Sequence, residues 1–292
     1  MKTIVVPVDY STHAEHAARY AVHLGKAMKS KLHLCYAFQV PADAVGAAHV
    51  TWPVYDYVAL AEANEKEIAH LAARLAERDC STANPDSFHP PISGAAVPGE
   101  ATDVIQELAD EKKAGMIVMG MSGASTLART LLGSVVRRTL DKITYPVLLV
   151  PADYQFQDIR KIAFASDFNP SDIHVIQSLV PLAKCFDADL VITHVTEEPE
   201  DNPGYRKESS EFLNTVTNEI NYDKIYFRNI CNAGVDQGLD WLTDHVKIDM
   251  LVMVHRQQGL IARIFNDSHT KKMVAGIKLP LLVFPSGKHF TF

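Results

Sequence analysis

Residues 115–140 read GMIVMGMSGASTLARTLLGSVVRRTL, and residues 249–274 read DMLVMVHRQQGLIARIFNDSHTKKMV. The two align without a gap at an offset of 134. Each leads into a proline-entered apolar run, YPVLLVP at 145–151 and LPLLVFP at 279–285. Upstream, KTIVVPVDYS at 2–11 matches RKIAFASDFN at 160–169, with Asp9 on Asp167 at an offset of 158. A repeat on this scale decides the architecture before any single residue does. The 292 residues divide into two copies of one unit, predicted as domains 1–151 and 159–288. The polar stretch ADYQFQD at 152–158 joins them. The second copy is the shorter between its first and fourth strands.

Within one copy, apolar runs alternate with helical patterns. Ile4–Val8, Leu32–Ala37, Ile92–Val97, Met116–Met119 and Val147–Val150 read as strands. Thr12–Ser30, Asp56–Arg78, Ala101–Lys112 and Val135–Lys142 read as helices. Thr12 and Glu15 have the spacing of a capping box. Strands that are apolar on both faces belong in a parallel sheet covered on both sides. Right-handed crossovers then give an α/β fold of two tandem doubly wound domains.

Composition excludes several function classes. Lys plus Arg is 28 and Asp plus Glu 35, a net charge of −7. Phosphate-rich nucleic acids and anionic membranes need the opposite balance, so neither is an expected partner. No apolar run approaches the ~20 residues that span a bilayer. Cys35, Cys80, Cys185 and Cys231 are scattered with no C-x-x-C pair, which predicts reduced thiols and a cytoplasmic protein.

The residues that carry chemistry lie in the first of the two quoted stretches. Gly120-Met121-Ser122-Gly123, nine residues, then Gly133-Ser134 follow an apolar strand and precede a helix. Gly120 and Gly123 suit a sharp turn that exposes backbone N–H groups. Gly133 puts no side chain at the helix entry. Ser134 adds a hydroxyl, and the helix start adds partial positive charge. These are the parts of a phosphate cradle without a lysine. They match neither a Walker A loop nor a G-x-G-x-x-G fingerprint. No G-x-S-x-G elbow is present, and no catalytic residue is assigned.

This glycine spacing, with VPVDYS at 6–11 and the proline-entered last strand, resembles the universal stress protein family. The resemblance covers nearly the whole chain as two tandem family domains. It implies a five-stranded parallel sheet in the order 3-2-1-4-5 in each, with a ligand at the switch point between strands 1 and 4. It further implies ATP, held with Mg through phosphate oxygens and water. Pro7, Val8 and Asp9 would border the base and ribose, with Asp9 otherwise a helix cap. Tyr36 stands where the family commonly has a small aliphatic residue, and either stacks on adenine or fills its pocket. Met119 would line the ribose side. Gly120, Gly123, Gly133, Ser134 and Val135 would hold the phosphates. The family's last strands pair across a two-fold axis. Here Pro146–Val150 and Pro280–Phe284 would pair within one chain as a pseudo-dimer, leaving a homodimer open.

The second copy has Val254, Gln257 and Asp267 opposite the three glycines and keeps Ser268 opposite Ser134. Valine resists positive φ, and Asp267 repels phosphate, so this copy is expected not to bind ATP. His13, His16 and His23 read as a solvated helix face rather than a zinc site. His255 and Arg256 read as surface residues or an anion site. Ser122 and Ser125 read as turn residues or phosphate acceptors. Two function classes follow: an ATP-binding stress-response regulator, at most a weak ATPase or autokinase, and a nucleotide-independent interaction scaffold.

Overall fold

The computed structural model describes residues 1–39, 53–82, 87–121, 133–142, 144–196, 202–231, 235–256, 278–287 and 289–292. The first half runs β1 (Thr3–Pro7), α1 (Thr12–Ala27), β2 (Lys31–Phe38), α2 (Pro53–Thr82), β3 (Ile92–Pro98), α3 (Ala101–Glu111), β4 (Ala114–Met121), α4 (Ser134–Lys142) and β5 (Val147–Pro151). The second half runs β6 (Lys161–Ala165), α5 (Asp172–Phe186), β7 (Asp189–Thr196), α6 (Pro203–Glu219), β8 (Ile225–Cys231), α7 (Val235–His245), β9 (Met250–His255) and β10 (Leu281–Pro285).

All ten strands form one sheet in the order β3-β2-β1-β4-β5-β10-β9-β6-β7-β8. Each half therefore has the order 3-2-1-4-5, read from opposite edges. The registers carry the repeat into three dimensions. Ile4 pairs with Met116, and Ile162 pairs with Met250, so both sequence offsets hold at the same ladder. Among the described residues the one antiparallel pairing joins β5 to β10. There Leu148 faces Leu282, its own counterpart at an offset of 134.

Alternate strand residues feed two cores. Ile4, Val6, Leu148 and Val150 point to the face covered by α1 and α2, through Tyr20, Leu24, Ile68 and Leu71. Val5, Val147 and Leu149 point to the face covered by α3 and α4, through Ile105, Leu108, Val136 and Leu140. The first core continues into the second half through Ile176 and Leu179 of α5 and Phe212 of α6. All five residues of β5 are buried, which explains its unbroken apolar sequence. Among the described residues no helix is long and apolar enough to cross a membrane.

Two local expectations need correction. The cap of α1 is Ser11, not Thr12: its hydroxyl accepts from the Ala14 N–H. The cause is the preceding turn. Asp9 Oδ1 accepts the Ser11 N–H at 3.0 Å, and Tyr10 takes φ 59°, which sets Ser11 one residue ahead of the helix. Glu15 turns instead to Arg74, 2.8 Å away. The segment 152–158 is also no free polar spacer, because Tyr154 and Phe156 pack against the core.

Candidate nucleotide site and its altered counterpart

The carboxyl ends of β1, β2 and β4 and the start of α4 enclose a cavity of about 410 Å³. Nine of the ten residues singled out from the sequence line it: Pro7, Val8 and Asp9 from β1 and its end, Tyr36 from β2, Met119 and Gly120 from β4, and Gly133, Ser134 and Val135 at the entry to α4. Gly123 lies outside the described residues, as do Ser122, Ser125, Gln257, Asp267 and Ser268.

Chain reversal explains the convergence. β1 and β4 are neighbours whose following helices, α1 and α4, cover opposite faces of the sheet, so a crevice opens between their ends. Val8 N–H still bonds to Cys35 O at 2.8 Å, which fixes the floor. Asp9 is exposed at the rim. The Tyr36 ring lies 4.8 Å from that of Tyr10 and 6.4 Å from that of Phe38. Burial, with Glu67 and Tyr36 nearby, pushes the Tyr10 phenol up to about 12.

The glycines act differently from the sequence-based expectation. Gly120 has no positive φ; among the described glycines only Gly99 and Gly287 do. It is small because α1 passes close by: a Cβ there would sit 2.5 Å from His13 O. A Cβ at Gly133 would meet nothing within 4 Å. The first N–H groups of α4 have no intrahelical acceptor. Among the described lining residues there is no lysine or arginine.

The equivalent crevice of the second half is occupied by the chain's own side chains. Arg256 Nη1 lies 2.7 Å from Asp167 Oδ1, and Nη2 bonds to Asp172 Oδ1. Ser166 Oγ donates to Asp172 Oδ2 at 2.6 Å. Arg256 is 16% exposed and Asp172 fully buried, so Arg256 is not a surface residue; its charge is spent on two carboxylates. Burial pushes the Asp172 carboxyl up to about 6, although Arg256 and Ser166 pull it down. Beside it, the His194 ring stacks 4.1 Å from Phe168, and its Nδ1–H donates to Ser166 O at 2.8 Å. Burial lowers the pKa of His194. Val254 stands opposite Gly120 as an ordinary strand residue paired with Phe284. Its significance is bulk, not backbone sign.

The family model described as "Universal stress protein family" matches residues 1–151. The chain belongs to the universal stress protein family. A relative from Methanocaldococcus jannaschii is 28% identical over 151 residues, covering 51% of this chain and 81% of that protein. One from Mycobacterium tuberculosis H37Rv is 31% identical over 159 residues, covering 51% and 95%. Among solved structures, a universal stress protein from Archaeoglobus fulgidus superposes with a TM-score of 0.68 at 16% identity, covering 98% of both chains. At that identity the likeness concerns the fold.

In this universal stress protein His23 of α1 is exposed and His13 and His16 are partly so, in line with a solvated face, but two of the three rings are also engaged by the segment between the halves. His16 Nε2 lies 2.6 Å from Tyr154 O, and His23 stacks on Phe156 at 4.4 Å. His255 is 18% exposed, with Nε2 3.7 Å from Asp141 Oδ1 on α4. Residue-level reading missed Asp172 and the role of Arg256. The signal was present: the two offsets place Asp172 opposite Ala14 and Arg256 opposite Ser122, two opposite charges gained in one copy.

Proposed function

We propose that the chain is a cytoplasmic stress-response regulator that binds one ATP, with Mg, in the crevice of its first half and hydrolyses it slowly or not at all. The observation that carries this reading is the convergence of Asp9, Met119, Gly120, Gly133, Ser134 and Val135, chosen from the sequence, on one cavity. The cavity suits the ligand chemically. Asp9 is an acceptor for ribose hydroxyls. The open N–H groups at the start of α4 and the Ser134 hydroxyl are donors for phosphate. Mg, when bound, neutralises phosphate charge that no lysine here offsets; its ligands would be phosphate oxygens and water. Tyr36 borders the base.

In this reading residues 1–151 and 159–288 are tandem domains, paired as a pseudo-dimer along β5 and β10. The second domain binds no ATP, because Arg256 already lies against Asp167, the counterpart of Asp9. Titration calorimetry with Mg·ATP is expected to give one site per chain. ATP at 100 times Kd should stabilise the chain by about 2.7 kcal/mol. The crevice of the second half supports the competing scaffold reading, since Arg256 lies there against Asp167 and Asp172. No thermal shift with ATP, and an unchanged partner set in Gly123→Val, would favour the scaffold. Two sites per chain would refute the division of labour.

A further inference from the structure

Of the three histidines on α1, His16 and His23 are engaged by the segment between the halves, and His13 is not. His13 instead lines the first crevice, with Asp9, Gly120 and Ser134. Its place follows from the turn before α1. Asp9 and the left-handed Tyr10 set Ser11 as the cap, so His13 is the second residue of the helix. Cα–Cβ bonds in a helix tilt toward its start. The start of α1 is the end that meets the crevice, because Ser11, His13 and Ala14 all line it. The His13 carbonyl passes so close to β4 that a Cβ on Gly120 would lie 2.5 Å from its oxygen. His13 therefore sits beside one of the residues assigned to the phosphates.

Charge sets His13 apart from its neighbours. Among the described lining residues it is the one group able to carry positive charge. Among the described residues its ring takes no hydrogen bond, ion pair or ring contact. Nearby charged and polar groups are already engaged. Glu15 is held by Arg74 at 2.8 Å, Arg138 of α4 pairs with Glu100 at 2.8 Å, and His16 meets the Tyr154 carbonyl at 2.6 Å. The other titratable groups of the described lining are Asp9 after β1 and Cys35 and Tyr36 on β2; β4, α3 and α4 contribute none. Burial pushes the Cys35 thiol up to about 12. Carboxyl and phenol groups ordinarily titrate outside the interval from about pH 6 to about pH 8, whereas histidine changes charge within it.

An imidazolium beside Gly120 complements an anion; a neutral imidazole offers a hydrogen bond alone. We propose that His13 pairs with the nucleotide's phosphates and makes binding of Mg·ATP tighten as pH falls from about 8 to about 6. The pairing rests on the reading of the crevice as a Mg·ATP site, to which it adds a binding residue and a pH response.

The test uses the full chain. Titration calorimetry with Mg·ATP is run at about pH 6 and about pH 8, in buffers of different ionisation enthalpy, with adenosine as the uncharged control. The proteins are the wild type, His13→Gln and His13→Lys, and thermal unfolding without nucleotide checks the fold of each variant. The wild type is expected to bind several-fold tighter at the lower pH, with net proton uptake. His13→Gln should lose about tenfold in affinity at about pH 6, with little loss at about pH 8 and without that uptake. His13→Lys keeps its charge at both pH values and should bind as tightly at about pH 8 as at about pH 6. Adenosine affinity should be the same in all three proteins. Mg·ATP binding with the same pH response in the wild type and His13→Gln overturns the proposal and leaves the nucleotide reading standing. So does a loss in His13→Gln that is equal at both pH values or shared by adenosine, since either reports a structural role. No saturation by Mg·ATP in the wild type at either pH overturns the nucleotide reading and the proposal with it.

Discussion

Arg256→Met tests whether the second crevice is held shut by its own ion network. In the wild type the Asp172 carboxyl is raised from its ordinary 3.8 to about 6. A group whose folded pKa is raised contributes stability that is complete below its unfolded pKa and lost as pH rises through the folded one. For Asp172 that window runs from about pH 4 to pH 6, and two pKa units correspond to about 3 kcal/mol. The guanidinium of Arg256 limits this loss by favouring the ionised form. With methionine in its place, the carboxyl moves further up and is left buried without a cation. Removing one partner of a buried pair costs about 3–5 kcal/mol, so a loss of about 3 kcal/mol is expected at pH 8. At pH 5 the variant's Asp172 holds a proton and keeps its bond to Ser166; the Arg256 contacts to Asp167, Asp172 and Ser171 are lost, but no buried charge is left unpaired. The cost there is expected to be well below that at pH 8. Urea denaturation followed by circular dichroism at pH 5 and pH 8 measures both. Arg256→Met with Asp172→Ala, which restores the residue type of Ala14, should recover most of the loss at pH 8. Equal destabilisation at the two pH values, or no recovery in the double variant, would refute the reasoning.

Three further outcomes follow from the same geometry. Gly120→Ala puts a Cβ 2.5 Å from His13 O, so α1 must shift; a loss of about 1–3 kcal/mol is expected on thermal unfolding, and a neutral result would mean that the close approach is not real. Leu149→Pro lies in the β5–β10 ladder opposite Leu281; about 3 kcal/mol or more should be lost, with an increased radius in small-angle scattering, and a compact, fully stable variant would count against that pairing. Burial pushes the Cys35 thiol up to about 12, while Cys80, Cys185 and Cys231 are exposed. A chromogenic disulfide reagent should therefore titrate three thiols quickly in the native protein and the fourth only on denaturation; four fast equivalents would contradict the burial.

The fold was legible because its signals are periodic and long. Offsets of 158 and 134 in the sequence reappear as the pairings Ile4 with Met116 and Ile162 with Met250. The first crevice was legible because its residues sit at strand ends, where topology alone brings them together. What escaped was set by tertiary neighbours. Nothing in the run around Gly120 says that His13 O will press on it. Nothing in ADYQFQD says that Phe156 will lie on His23. The N-cap moved by one residue because Asp9 made a turn that a four-residue pattern does not encode.

The difference between the halves is a difference in who supplies the charge. In the first half Asp9 is exposed at the rim of a cavity, and a Cβ at Gly133 would meet nothing within 4 Å. In the second half the counterpart carboxylate, Asp167, already has a guanidinium at 2.7 Å, and a second carboxylate, Asp172, anchors that guanidinium from inside the core. A ligand entering there would have to displace Arg256 and leave a fully buried carboxyl unpaired, at a cost of several kcal/mol before any contact of its own formed. An external ligand in the first crevice faces no such cost. Two clefts built on the same strand order thereby differ in one respect: the carboxylate at the end of β1 is exposed, and its counterpart after β6 is held by the chain's own Arg256.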